Sequence, residues 1–167
     1  PPPPPPAFQV SEADLEWFAR SRCDQCDMLL RLEKFKEAGE LAQGLLADKN
    51  LARRPCRTVA LYYQGYAAFG QRDYLAAGKA LSQLAPFQQD YGAHARYLLS
   101  RTHHLSGERP EAAAGYKALV TEYDTAKKAA VEALKNPAAL KPAEKQRLEA
   151  LVKGPPTDYI VRAMFYN

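Results

Sequence analysis

The sequence predicts an all-α protein built from antiparallel helix hairpins, and three observations carry that prediction. First, a pattern repeats at a spacing of 35 residues: Gly65, Gln71, Asp73, Tyr74, Ala77 and Leu81 are followed by Ser100, Ser106, Glu108, Arg109, Ala112 and Tyr116. A period in this range marks helix–turn–helix units that bury their apolar faces only against their neighbours. Second, the hydrophobic 47% of the chain is rich in Ala and Leu and sparse in Val and Ile, a balance that favours helix over strand. Third, apolar residues recur at helical spacing between Gly, Pro and Asn punctuation along most of the 167 residues.

Taken in order, residues 1–10 form a proline-rich linker. The run Pro1–Pro6 lacks backbone donors and favours an extended left-handed helix, the behaviour of a spacer. A chain beginning on Pro rather than Met reads as an excerpt of a longer protein. Ser11 followed by Asp14 starts a helix over about 12–32, with Leu15, Phe18, Cys26, Leu29 and Leu30 as its apolar positions. A second helix over about 35–47 carries Ala38, Leu41, Leu45 and Leu46, and Asn50 and Pro55 punctuate the stretch after it. The next hairpin is expected from helices over 57–69 and 73–84 around the turn Gly70–Gln71–Arg72, with Pro86 forbidding further winding. A third comes from helices over 91–105 and 110–123 around Ser106–Gly107, where Pro110 suits a first helical turn.

After Asp124 the period is lost. Two further helices, 125–134 and 142–152, are predicted as a basic spacer over 124–156, separated by Asn136–Pro137 and ended by Gly154–Pro155–Pro156. Residues 157–167 read as the opening of another repeat, because Ala163–Met164–Phe165–Tyr166–Asn167 resembles Ala60–Leu61–Tyr62–Tyr63–Gln64.

The repeats at 11–123 resemble the tetratricopeptide repeat (TPR) family. That family places a small residue midway along its first helix, an aromatic after the turn, an alanine early in its second helix and a large apolar residue one turn on. The small residues here are Cys26, Gly65 and Ser100, the aromatics Phe35 and Tyr74, the alanines Ala38, Ala77 and Ala112, and the large residues Leu81 and Tyr116. Small residues facing alanine let helix axes approach, which is why that pattern is needed. Two departures stand out: Arg109 replaces the post-turn aromatic, and the family's tryptophan has no counterpart in register, Trp17 lying upstream. The resemblance implies a right-handed superhelical array, a TPR-like solenoid, whose first helices line a concave groove for peptides. Carried over by position, the partner-binding candidates are Asp27, Leu30, Tyr62, Tyr66, Phe69, Tyr97, Arg101 and His104.

Read from the residues themselves, Tyr62, Tyr66 and Phe69 share one helical face, while Leu61, Gly65 and Ala68 form the face toward the partner helix. The stripe serves either as groove or as core between repeats, and the sequence leaves both open. The mixture of Asp and Tyr, with Arg101 as the main cation, does not support a clamp for a terminal carboxylate. An extended apolar or proline-rich peptide suits the tyrosines better.

Enzyme chemistry finds no support, and no catalytic, cofactor or metal site is expected. Cys23 and Cys26 have no second Cys/His pair to complete a zinc site and no histidine after Cys26 to attach haem, so buried, inert thiols are expected. His103 and His104 are adjacent and diverge by about 100° on a helix. Three cysteines cannot all pair within one chain, which argues against a disulfide scaffold and leaves the compartment open. No run of about 18 uncharged apolar residues occurs, so membrane insertion is not expected.

The formal charge of +4 resides wholly in Ala126–Lys153, where seven Lys/Arg meet three Glu; elsewhere 16 basic residues balance 16 acidic ones. Lys127, Lys128, Lys135, Lys141, Lys145, Arg147 and Lys153 have no interleaved aromatic to stack on bases, so a solvated helix surface is expected rather than a nucleic-acid site. The expected function is a non-catalytic scaffold that holds a protein or peptide in the groove. The alternatives are a self-assembling structural repeat, since Met164 and Phe165 would be exposed at an uncapped end, and a regulatory module of a larger bacterial multidomain or envelope protein.

Overall fold

A computed structural model describes residues 11–50 and 55–166; the proline-rich linker over 1–10 and part of the stretch after the second predicted helix lie outside the described residues. The described residues are helical and contain no strand. Among the described residues eight α-helices run α1 (Glu12–Arg31), α2 (Phe35–Ala47), α3 (Cys56–Gly70), α4 (Tyr74–Leu81), α5 (Gly92–Leu105), α6 (Arg109–Ala133), α7 (Pro142–Lys153) and α8 (Asp158–Tyr166), with 3-10 turns at Ser82–Leu84 and Pro137–Ala139. The chain divides into two compact units, one ending at Leu84 and one beginning at Ala85.

Local chemistry sets the helix ends. Ser11 Oγ accepts from the Asp14 N–H at 3.1 Å while the Asp14 carboxylate accepts from the Ser11 N–H at 3.1 Å, a reciprocal capping box that starts α1. The hydrogen bonds from Ser11 also hold the Asp14 carboxyl below its ordinary range. Asp73 starts α4 in a related way, its carboxylate accepting from the Ala76 N–H at 3.0 Å.

Three helix–helix turns are built identically. Glu33, Arg72 and Gly107 each adopt a left-handed backbone, with φ of 57°, 63° and 84°. The next N–H in each turn reaches back five residues: Lys34 to the Leu29 carbonyl at 2.9 Å, Asp73 to Ala68 at 2.9 Å and Glu108 to His103 at 2.9 Å. The left-handed residues themselves bond to Leu30, Phe69 and His104. These are Schellman caps, which use the orphan carbonyls at a helix end to reverse the chain. They recur at the spacings of the inner alanines Ala38, Ala77 and Ala112, 39 and then 35 residues.

In the first unit, α2 packs against α1 and α3, and α3 packs against α1 and α4. One core cluster joins Ala19, Cys23, Cys26, Ala42, Leu45, Cys56 and Ala60; a second joins Leu30, Ala38 and Ala67. Close approach depends on the small residues. A Cβ added at Gly65 would lie 2.6 Å from Leu81 Cγ and 3.5 Å from Ala80 Cβ, so the α3–α4 contact closes only over a bare backbone.

In the second unit, α5 and α6 form a hairpin, α7 folds back on α6, and α8 packs on both α6 and α5. Arg96 of α5 reaches Glu122 of α6 at 2.7 Å. The sequence predicts separate helices over 110–123 and 125–134, whereas α6 runs unbroken for 25 residues. Neither Asp124 nor Thr125 breaks a helix, and the Thr125 hydroxyl turns inward to donate to the Thr121 carbonyl at 2.7 Å. Loss of the repeat pattern at Asp124 therefore marks a change of packing partner, from α5 to α7, rather than a helix end. The predicted 142–152 helix is present as α7, and Asp158–Tyr166 form the helix α8.

Candidate partner-binding site

The candidate residues divide between the units: Asp27, Leu30, Tyr62, Tyr66 and Phe69 belong to the first, and Tyr97, Arg101 and His104 to the second.

On α3, residues 62, 66 and 69 follow the helical repeat and share one face. All three side chains are half-buried. Their rings lie in a chain of aromatic contacts, with Tyr62 6.1 Å from Tyr66, Tyr66 6.5 Å from Phe35, and Phe69 5.9 Å from Tyr74. Tyr63, 5.4 Å from Tyr62, extends the face toward α1. Phe35 and Tyr74 occupy the post-turn positions of the sequence pattern, whereas nothing in that pattern singles out Tyr63. The post-turn position of Phe35 and Tyr74 was the signal that they stand beside the stripe.

Burial, followed by the nearby Asp27 carboxylate, pushes the Tyr63 hydroxyl up to about 12, so it stays a neutral donor near pH 7. Asp27 pairs with Arg31 at 2.7 Å, and this hydrogen bond holds the exposed Arg31 guanidinium above its ordinary range. Leu30 is only 4% exposed and packs with Ala38 and Ala67, so it supports the face from beneath. Its place in the helical repeat matches that of a surface residue, but the Schellman turn directly after it folds α2 over it.

On α5, Tyr97, Arg101 and His104 repeat the same spacing, and α8 lies across them. Tyr159 sits 6.0 Å from Tyr97 and 5.2 Å from His94. Tyr166 stacks on Tyr116 at 5.4 Å, meets His104 edge-on at 5.1 Å and lies 5.0 Å under the Arg101 guanidinium. Tyr97 is 7% exposed. Arg101 Nη1 donates to His104 Nδ1 at 3.1 Å, and the Tyr116 hydroxyl approaches the same nitrogen at 3.4 Å. An arginine can only donate, so His104 Nδ1 accepts and its proton sits on Nε2. Burial pushes the Tyr116 hydroxyl up to about 12 against the opposing pull of Arg101, and burial alone holds His94 below its usual range. On α5, Tyr97 is thus buried, while Arg101 and His104 stay half-buried with their polar tips turned to one another and to α8.

The three cysteines are buried and form no disulfide. Burial pushes the Cys23 and Cys26 thiols up to about 12 and about 11, which leaves little of the reactive thiolate near neutral pH. Among the described residues no cluster of three His, Cys, Asp or Glu side chains could hold a metal ion, and no helix is long and apolar enough to cross a membrane. In the basic segment, Lys135 pairs with Glu132 at 2.7 Å, Lys153 with Glu149 at 3.6 Å, and Lys127 lies 5.9 Å from the Tyr123 ring.

No family model, curated protein or solved structure matches the chain.

Proposed function

We propose that this chain is a non-catalytic, TPR-like interaction module that binds an extended, apolar or proline-rich peptide segment of a partner protein on the tyrosine face of α3. The observation that carries the reading is the contrast between equivalent positions. Tyr97 is 7% exposed with Tyr159 of α8 against it, whereas Tyr62 at the equivalent place on α3 is only half-buried, as are Tyr66 and Phe69 beside it. The three matching Schellman turns support the repeat character on which the family analogy rests.

Tyrosine suits such a surface because a large flat ring is held by only two rotatable bonds and ends in a hydrogen-bonding tip. A face fixed on a packed helix also spends little ordering entropy on docking. Phe35 and Phe69 at its borders add apolar area for proline rings or aliphatic side chains, and Asp27 and Arg31 give it a polar margin that fixes register.

The test is selection of peptides from a displayed random library, followed by titration of the best binder against the native chain and against Tyr62→Ala/Tyr66→Ala. Loss of two central tyrosines weakens binding by about 30-fold or more, as for hot-spot residues, with the unfolding midpoint little changed. Unchanged affinity, or a variant that no longer folds, would remove the proposal.

A further inference from the structure

The last helix of the second unit has two apolar sides. Ile160 and Ala163 are buried against α5 and α6, while Val161, Met164 and Phe165 are 50%, 41% and 82% exposed on another face. Residues spaced by three and four form one continuous stripe on a helix. Next to α8, the C-terminal half of α6 and the facing side of α7 enclose an open cleft of about 820 Å3. Its floor is the alanine row 126, 129, 130 and 133, its far wall carries Leu148 and Leu151, and Tyr159 and Ile160 of α8 close its end. Its floor and far wall therefore present apolar side chains, a surface suited to the large apolar side chains of another helix.

The charges beside these two features are complementary. Glu144 and Arg147 line the cleft, and Asp158 and Arg162 are exposed on α8; none of the four has an ion pair among the described residues. Both pairs run acid before base along the chain. An antiparallel approach of α8 to α7 therefore sets Arg162 beside Glu144 and Asp158 beside Arg147, and a parallel approach sets like charges together.

We propose that the occupant of this cleft is a second copy of the chain. Each copy lays Val161, Met164 and Phe165 of α8 into the α6–α7 cleft of the other, antiparallel to α7, in a two-fold isologous contact. Stripe and cleft adjoin through α8, so one surface carries both halves of the contact, as a two-fold interface requires. The contact uses none of the tyrosine face on α3 and stands independently of peptide binding there.

The test is sedimentation velocity on the full chain across a wide concentration range. The native protein shows a reversible monomer–dimer equilibrium. Phe165→Glu, at a site exposed enough to leave the fold intact by circular dichroism, shifts the protein to monomer. Arg162→Glu weakens dimerisation by about tenfold or more, and adding Glu144→Arg to it restores association. A monomer at every concentration would overturn the proposal. So would a dimer indifferent to Phe165→Glu, or one in which Glu144→Arg fails to rescue Arg162→Glu.

Discussion

Ser100 of α5 stands directly against Gly115 of α6. A Cβ added at Gly115 would lie 3.0 Å from the Ser100 Cβ and closer still to its Oγ, which is already committed to the Arg96 carbonyl at 2.8 Å. This is the α5–α6 counterpart of Gly65 beneath Leu81 in the α3–α4 hairpin: at each crossing one helix offers a bare backbone and the other fills the space.

Gly115→Ala is therefore expected to destabilise the protein. Helix propensity alone gains about 1 kcal/mol, but overpacking a site this tight costs about 1–3 kcal/mol. Restoring the space with Ser100→Gly in the Gly115→Ala background recovers stability. Urea unfolding of the two singles and the double measures this as a favourable coupling energy; additive losses would show that the helices are not held at this contact.

Docking of α8 is the feature that distinguishes the two stripes, and Ile160 is its buried anchor. Ile160→Ala is expected to cost about 2–5 kcal/mol of the second unit's stability. Hydrogen exchange should accelerate along α8 and on the covered face of α5. Retained protection in α8 would show that the aromatic contacts of Tyr159 and Tyr166 hold it alone.

Alkaline pH should loosen the first unit. The Cys23 and Cys26 thiols, raised by burial to about 12 and about 11, and the Tyr63 hydroxyl, raised to about 12, hold their protons more tightly folded than unfolded. Above the ordinary thiol pKa of about 8.5 the unfolded chain binds fewer protons than the native one, so stability falls as pH rises. That contribution is complete below about pH 8.5 and lost between there and about pH 12. The melting temperature should decline across this window, and less steeply in Cys23→Ala/Cys26→Ala; equal slopes would place the loss elsewhere.

The helices were legible because their ends carry local chemistry: Ser11 with Asp14, Asp73 before Tyr74, Pro110 in a first turn. The left-handed turns at Glu33 and Arg72 were not, since neither residue is the glycine that usually marks such a cap. Helical spacing told which residues share a face but not what lies against it. Tyr62 and Tyr97 hold the same repeat position, and Leu30 occupies a comparable place on α1; only the long-range course of α2 and α8 decides which become buried. The continuity of α6 was hidden for a related reason, as a change of neighbour at Asp124 alters the pattern without altering the helix.

Tyr62 and Tyr66 of α3 are half-buried, whereas Tyr97 at the equivalent place on α5 and its neighbour Tyr116 are buried. Timed nitration of the native chain with tetranitromethane, read by peptide mass mapping, tests this contrast directly. Tyr62 and Tyr66 should be modified well before Tyr97 and Tyr116, whose rings are buried and, for Tyr116, whose hydroxyl resists ionisation. Modification of Tyr97 and Tyr116 at the same rate as Tyr62 and Tyr66, or ahead of them, would contradict it.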